Sequence, residues 1–171
     1  RDNVKDSIIQ FVGLGKSPTA LARELRRVYG YSLTSSLTTA RTVQLYAYRE
    51  ANRASYLANG DVVGGWFWMS ALAPTSCMAC VSKHGSWHPN SERLNDHHRG
   101  YCTMLPAVGN AKEYVFNGDD WKNSQGKRHA AGWGSTTIDG TYKTGEEWFN
   151  KLPEFQQRRM MGDTRFNAWK D

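Results

Sequence analysis

The sequence predicts an α+β fold, with N-terminal helices leading to a long helix, then a small β-sheet or hairpin region, and C-terminal helices. Three observations support this. Apolar residues before position 60 recur every three or four positions, as on one face of a helix. An aromatic run, Trp66–Leu72, follows two glycines and is typical of a buried strand. Thr144 and Glu147 form a capping box, which marks the start of a helix.

Three helices are predicted before residue 60. The first carries an apolar cluster around Ile8 and Phe11, and Gly13 or Gly15 ends it. Ser17 followed by Pro18 is an N-cap with proline at the first helical position, and Gly30 is the expected C-cap. The third helix is long and runs from about Ser36 to Ala58.

Two strands are predicted in the middle of the chain. Trp66–Leu72 is expected to be buried on both faces. Thr103–Val108 is expected either to lie at a sheet edge or to end at Pro106, because proline cannot donate a ladder hydrogen bond. Residues 117–144 are rich in glycine and predict a long irregular segment.

The C-terminal helices carry six large apolar side chains, namely Trp148, Phe149, Leu152, Phe155, Phe166 and Trp169. Burial of one such side chain is worth about 1.5–3 kcal/mol. We therefore expect residues 145–170 to pack back on the α+β part, with a partner-docking surface as the alternative.

The composition is that of a globular protein with a basic N-terminal third. Hydrophobic residues make up 39% and charged residues 22%, and the formal net charge is +6. Residues 1–60 carry nine basic and four acidic side chains, an excess of +5. No apolar run approaches the ~18 residues of a membrane span, so we expect no membrane partner. The chain begins with Arg1 instead of Met, and we expect it to be part of a longer protein.

All three cysteines and four of the five histidines fall within residues 77–102. Cys77 and Cys80 form a CxxC, which places two thiolates on one tight turn. After 16 intervening residues come His97 and His98, and Cys102 follows shortly. Three thiolates and one imidazole suit a closed, tetrahedral, structural Zn²⁺ site. The sequence therefore predicts a sheet region that is cross-linked by zinc, with His97 or His98 as the fourth ligand.

Other interpretations of the cysteines remain open at this point. They can be buried free thiols, which pack as small hydrophobes. A redox CxxC is also possible, although no βαβ pattern surrounds it. A disulfide would leave one cysteine over. His84 and His88 precede turn residues and are predicted to be surface turn residues.

The order of these motifs resembles the phage Mu F-like head morphogenesis family, the minor head proteins of tailed phages. The resemblance covers about residues 35–170 and rests on the following stretches: Arg49–Arg53, Trp66–Leu72, Cys77-x-x-Cys80, His84-Gly85, His97–Pro106, Gly145–Phe149, Gln156–Gly162 and Ala168–Lys170. Family members often have Cys at the position of Gly100, so the fourth ligand here must be a histidine. The resemblance favours His97, with His98 as the alternative.

The resemblance implies an N-terminal helical extension over 1–34 and a Mu F-like domain over 35–171, with its zinc loop at 74–106. It further implies a virion component inside the head, near the portal vertex, that acts in head morphogenesis and in genome packaging or delivery. The implied partners are portal and capsid proteins, and the protein would reside in the host cytoplasm during assembly. No catalytic motif stands in the sequence, and we predict that the chain is not an enzyme.

Two alternative functions follow from the same residues. Asp96-His97-His98 could belong to a zinc-supported HNH-like nuclease, but the next histidine, His129, comes 31 residues after His98. The chain could also be the docking domain of a prophage-derived toxin.

The basic N-terminal helices suggest a contact surface for packaged DNA or an acidic partner. Its candidate residues are Arg23, Arg26, Arg27, Arg41, Arg49 and Arg53. The last three share spacings of eight and four and are predicted to form one stripe on the long helix. Contacts of this kind are made to phosphates and do not depend on base sequence.

Overall fold

A computed structural model describes residues 2–109 and 144–171. Within these ranges lie seven helices and a three-stranded antiparallel sheet, so the α+β prediction is confirmed. The elements are α1 (Asp2–Gly13), α2 (Pro18–Tyr29), α3 (Leu33–Ala58), β1 (Val63–Met69), α4 (Met78–Lys83), β2 (Trp87–His88), β3 (Thr103–Val108), α5 (Gly145–Asn150), α6 (Glu154–Met161) and α7 (Asp163–Lys170). The irregular segment predicted from residue 117 lies, except for Thr144, outside the described residues.

The helix boundaries follow the capping residues. Ser17 accepts a hydrogen bond from the Ala20 amide through its hydroxyl, and Gly30 ends α2 in the left-handed conformation with φ 69°. Helix α3 begins three residues earlier than predicted, at Leu33. The reason is Ser32, whose hydroxyl accepts from the amide of Ser35 at 3.1 Å and so satisfies an amide of the first turn.

The chain forms two compact units. Unit 1 comprises Arg1–Ser55 together with the short segment Asn95–Tyr101, and unit 2 comprises Tyr56–Leu94 and Cys102–Asp171. Helix α3 therefore contributes its residues up to Ser55 to unit 1 and its last residues to unit 2.

The core of unit 1 lies between its helices. Leu21, Leu25 and Ala40 are buried, and residues of α1 and α3 pack around them. The amide of Gln44 adds a hydrogen bond to the carbonyl of Lys16, at 3.0 Å. These contacts tie the loop after α1 to the long helix.

The sheet of unit 2 has the strand order β2-β1-β3, and both pairings are antiparallel. Trp66, Phe67 and Trp68 of the central strand are all buried, as predicted for a strand covered on both faces. Among the described strands β3 lies at the edge, and it continues past Pro106, which pairs with Trp66 in the register. The edge position predicted from this proline is confirmed.

Strand β1 runs from Val63 to Met69 instead of from Trp66 to Leu72, and it includes the two glycines before the aromatic run. Gly65 pairs with Ala107, and Gly64 lies at a register shift between Val63 and Gly65. A Cβ at Gly65 would lie 2.5 Å from the Trp87 ring, and a Cβ at Gly64 would lie 2.6 Å from the carbonyl oxygen of Gly109. The glycines therefore allow neighbouring groups to approach the strand closely, and they do not form a turn.

The C-terminal helices pack against the other elements of unit 2. Trp148 and Phe149 of α5 are buried against Leu72 and Val81, which confirms the packing-back prediction for these two aromatics. Phe166 is also buried, whereas Phe155 is 68% exposed. Among the described helices, none combines the length and apolar character that a membrane crossing requires.

Candidate metal centre

The CxxC occupies the start of α4. Cys77 is the N-cap residue, and its sulfur accepts a hydrogen bond from the Cys80 amide at 3.3 Å. A turn closed by the Ser76 amide on the Ala73 carbonyl, at 2.7 Å, leads the chain into this position. Because Cys80 then lies in the first helical turn, both sulfurs are held on the same end of α4.

Cys102 lies immediately before β3 and completes a cluster of three thiols. The sulfur of Cys80 lies within 4.8 Å of the Cys77 sulfur and within 4.8 Å of the Cys102 sulfur. None of the three cysteines forms a disulfide, and Cys80 and Cys102 are buried while Cys77 lies at the surface. The cluster contains no disulfide, in contrast to one of the alternatives left open by the sequence.

The geometry of the three sulfurs suits a metal ion. Zn–S bonds of about 2.3 Å in a tetrahedron place neighbouring sulfurs roughly 3.8 Å apart. The two separations from the Cys80 sulfur, each within 4.8 Å, are of this order. Trp66, Trp68, Leu94 and Met104 pack with Cys80 and Cys102, so the hydrophobic cluster excludes water from one side of the site. The donor set therefore fits a metal ion, and the side chains do not by themselves specify which ion.

His97 and Asp96, five and six residues before Cys102, also carry atoms of the kinds that can bind a metal ion. Both belong to the segment Asn95–Tyr101. His97 Nδ1 lies 2.8 Å from the carbonyl oxygen of His98, and a carbonyl can only accept. The Nδ1 atom therefore carries the proton, and the lone pair is on Nε2. His98 contributes its carbonyl to this arrangement, while its side chain is exposed.

The two histidines predicted to be surface turn residues have structural roles. His84 is only 4% exposed, and its Nδ1 accepts from the amide of Ser70 at 3.0 Å. His88 is half-buried in β2, where its ring stacks on Trp66 with ring centroids 4.4 Å apart. The prediction for His84 was wrong, because a backbone amide 14 residues away supplies the partner that permits burial.

The sequence did not predict the two polar contacts of the His88 ring. His88 Nε2 lies 2.9 Å from the Ser86 hydroxyl, and Nδ1 lies 2.7 Å from a Glu92 carboxylate oxygen. The Ser86 hydroxyl also donates to the carbonyl of Lys83, at 2.6 Å. The available signal in the sequence was the spacing of these residues, two positions from Ser86 to His88 and four from His88 to Glu92. These hydrogen bonds connect the loop after α4 to the loop after β2.

The arginines proposed as contact residues differ in exposure. Those of α2, Arg23, Arg26 and Arg27, are exposed, and so is Arg41 of α3. Arg49 is buried, with 8% exposure, and its Nη2 lies 2.9 Å from the carboxylate of Asp96. The side chain of Arg53 is 19% exposed and lies 3.6 Å from the carboxylate of Glu50. The predicted stripe therefore does not form a continuous exposed surface, because Arg49 lies inside unit 1.

Comparisons of this chain with protein-family models, with curated proteins and with solved structures give no match.

Proposed function

We propose that the chain is a non-enzymatic structural module of a tailed-phage virion, a minor head protein that acts in head morphogenesis and in genome packaging or delivery. The proposal combines the family resemblance of residues 35–170 with one observation, the cluster of three cysteines around the Cys80 sulfur. A structural ion accounts for buried thiols that are not paired in disulfides. We propose Zn²⁺ as this ion, with His97 as the fourth ligand, on the basis of its position in the sequence motif.

The ion would cross-link the start of α4 to the residue before β3. Its apparent binding free energy in small zinc peptides is about 10–16 kcal/mol, which exceeds the stability of most domains. In unit 2 this contribution supports a stretch that holds only a six-residue helix and a two-residue strand between β1 and β3. Three thiolates and one imidazole fill the tetrahedron, which leaves no coordination position for a substrate.

The observations favour a structural role over an HNH-like nuclease. Such a nuclease would use the Asp96-His97-His98 stretch to bind a catalytic metal ion. The carboxylate of Asp96 instead accepts a charge-assisted hydrogen bond from Arg49, and its side chain is 1% exposed. A carboxylate held in this way is poorly placed to bind a solvent-accessible catalytic ion.

The partners that we propose are portal and capsid proteins, with packaged DNA as a further contact of the exposed arginines. The test is complementation of a phage whose copy of this reading frame is deleted. Plasmids supply the wild-type chain, a Cys80→Ser variant or, as a matched control, a Ser82→Ala variant. Ser82 lies on the same short helix and is exposed.

We expect the wild-type and Ser82→Ala chains to be found in purified particles and to restore the titre. The Cys80→Ser chain should be absent from particles. Full complementation without any chain in the particles would contradict the virion role. Mg²⁺- or Mn²⁺-dependent plasmid nicking by the purified protein, lost in a His97→Ala, His98→Ala double variant, would support the nuclease instead.

A further inference from the structure

Cys77 and Cys80 form a pair of neighbouring thiols at the start of α4, and both residues belong to unit 2. Their sulfurs lie within 4.8 Å of each other, and neither cysteine forms a disulfide. A metal ion is one chemical use of such a pair. The other use is reversible oxidation, in which the two sulfurs bond to each other.

The backbone around the pair meets the requirement for a disulfide. The amides of Cys80 and Val81 both donate to the Cys77 carbonyl at 3.0 Å, so Cys77 and Cys80 are three residues apart on a helical turn. Helix geometry places Cα atoms at this spacing about 5 Å apart, and disulfides join Cα atoms about 4.4–6.8 Å apart. The spacing of the turn therefore permits a disulfide, which forms when the side chains rotate to the S–S distance of about 2.0 Å.

The two thiols differ in their access to solvent. Cys77 lies at the surface, whereas Cys80 is only 6% exposed and belongs to the hydrophobic cluster around Trp66. Cys102, whose sulfur also lies near that of Cys80, is 3% exposed in the same cluster. Reaction with a dissolved reagent depends on access to the sulfur. A reagent therefore meets the Cys77 sulfur first, and the Cys80 sulfur lies next to it as the second thiol.

We infer that Cys77 and Cys80 are a thiol–disulfide exchange site, whose substrates are small-molecule disulfides such as oxidised glutathione. The Cys77 sulfur attacks the reagent disulfide, which forms a mixed disulfide at Cys77 and releases one thiol. The Cys80 sulfur then attacks the Cys77 sulfur, which forms the Cys77–Cys80 disulfide and releases the second thiol. Each attacking thiol gives up a proton, which the leaving thiolate takes up. The protein is oxidised by two electrons, and the reagent disulfide is reduced to two thiols.

The exchange regulates the candidate metal centre, and this consequence rests on the proposed zinc site. Zn²⁺ binds thiolates, and sulfurs that are joined in a disulfide are no longer thiolates. Oxidation removes two of the three cysteine ligands, so the oxidised chain releases the ion. Reduction by a thiol restores both sulfurs and with them the ability to bind zinc.

The experiment incubates the full chain with oxidised glutathione, alone and with a chelator, while an indicator dye reports free zinc. Remaining thiols are alkylated after an acid quench, and peptide mapping by mass spectrometry identifies the disulfides. With the chelator we expect a single disulfide, between Cys77 and Cys80, a mass lower by two hydrogens, and full recovery of the thiols on reduction. Without the chelator the same disulfide should form more slowly, with zinc released in step.

Two variants test the order of the steps. Cys80→Ser should stop at the mixed disulfide, with glutathione on Cys77, because the second attack has no thiol. Ser82→Ala is the matched control, since Ser82 is exposed on the same helix, and it should react like the wild-type chain. The wild-type peptide map needs no variant, so the test holds even if Cys80→Ser fails to fold.

The outcomes separate the exchange site from the zinc site. Glutathione that persists on Cys77 of the wild-type chain, or a disulfide between Cys80 and Cys102, would overturn the inference. A chain that binds zinc but forms no disulfide, even with the chelator present, would overturn the exchange site and leave the zinc site standing. Formation of the Cys77–Cys80 disulfide without any release of zinc would support the exchange site and count against the zinc site.

Discussion

Replacing Gly145 by alanine is expected to destabilise unit 2, although glycine-to-alanine changes in helices usually stabilise proteins. Gly145 is the first residue of α5 and is buried. A Cβ at this position would overlap the carbonyl oxygen of Val81 in α4 and would lie 3.0 Å from the Val81 Cγ1 atom. A backbone oxygen cannot rotate away, so α5 must shift. That shift disturbs the packing of Trp148 and Phe149 on Leu72.

The magnitude follows from two opposing terms. Alanine gains up to about 1 kcal/mol over glycine in a helix interior, and less in the first turn. Overpacking a well-packed site costs about 1–3 kcal/mol, and a partial loss of aromatic burial adds to this cost. We therefore expect Gly145→Ala to lower the free energy of unfolding by about 1–3 kcal/mol, which lowers the melting temperature by about 2–12 °C for a chain of this length.

The assay is thermal and urea unfolding followed by circular dichroism, with Gly13→Ala as the control. Gly13 ends α1 and does not take a left-handed conformation, and a Cβ added to it would meet no described atom within 4 Å. Gly13→Ala should be neutral or stabilising by up to about 1 kcal/mol. If Gly145→Ala unfolds at the same temperature as Gly13→Ala, the close packing of α5 against α4 is refuted.

Other variants probe the aromatic core of unit 2 and the arginines. Trp148→Ala should lower the free energy of unfolding by about 3–5 kcal/mol in thermal melts, because the indole is 8% exposed in the core of unit 2; an unchanged melt would instead indicate that α5 is a docking surface. Neutralising Arg23, Arg26 and Arg27 together should reduce the salt dependence of DNA binding, measured by fluorescence titration. The slope of log affinity against log salt concentration should fall by about 0.9 for each phosphate that is no longer neutralised. An unchanged slope would show that these arginines are a solvated surface. Arg49→Met should leave that slope unchanged and instead lower the free energy of unfolding by about 3–5 kcal/mol, because it leaves the buried carboxylate of Asp96 without its ion-pair partner. A reduced salt dependence in a variant of normal stability would contradict the burial of Arg49.

Local signals in the sequence predicted most of the elements. Ser17-Pro18, Gly30 and the Thr144–Glu147 capping box each act within a few residues, and the structure places a helix boundary at each. Pro106 likewise placed its strand at a sheet edge, because a missing amide hydrogen is a property of the residue itself.

The sequence did not predict the hydrogen bonds between residues that are far apart in the chain. The bond from Arg49 to Asp96 joins positions 47 residues apart, and the bond from the Ser70 amide to His84 depends on where the loop before α4 returns. Spacing alone placed Arg49 on the face of a helix. Only the fold shows that this face is turned toward a carboxylate. The sequence pattern likewise leaves the glycines of β1 outside the strand, because their close neighbours, Trp87 and Gly109, lie on other strands or loops.

Sequence reasoning identified the cysteines of the candidate metal centre correctly as a cluster. A CxxC and a third cysteine in the same short stretch of sequence indicate that the three side chains lie close together. The structure confirms that Cys80 lies close to both other cysteines. The pairing of Asp96 with the buried Arg49 was not predictable, since an acidic residue beside a histidine is common in loops.

The zinc content of the purified chain is the decisive measurement for the proposed metal centre. Native mass spectrometry and elemental analysis should find one zinc ion per chain, and the three thiols should resist titration until a strong chelator or a denaturant is added. The metal-free chain should melt at a lower temperature, because the ion stabilises only the folded state. A chain that carries no zinc after purification in its presence, and whose Cys77, Cys80 and Cys102 all titrate freely in the native state, would contradict a structural zinc site.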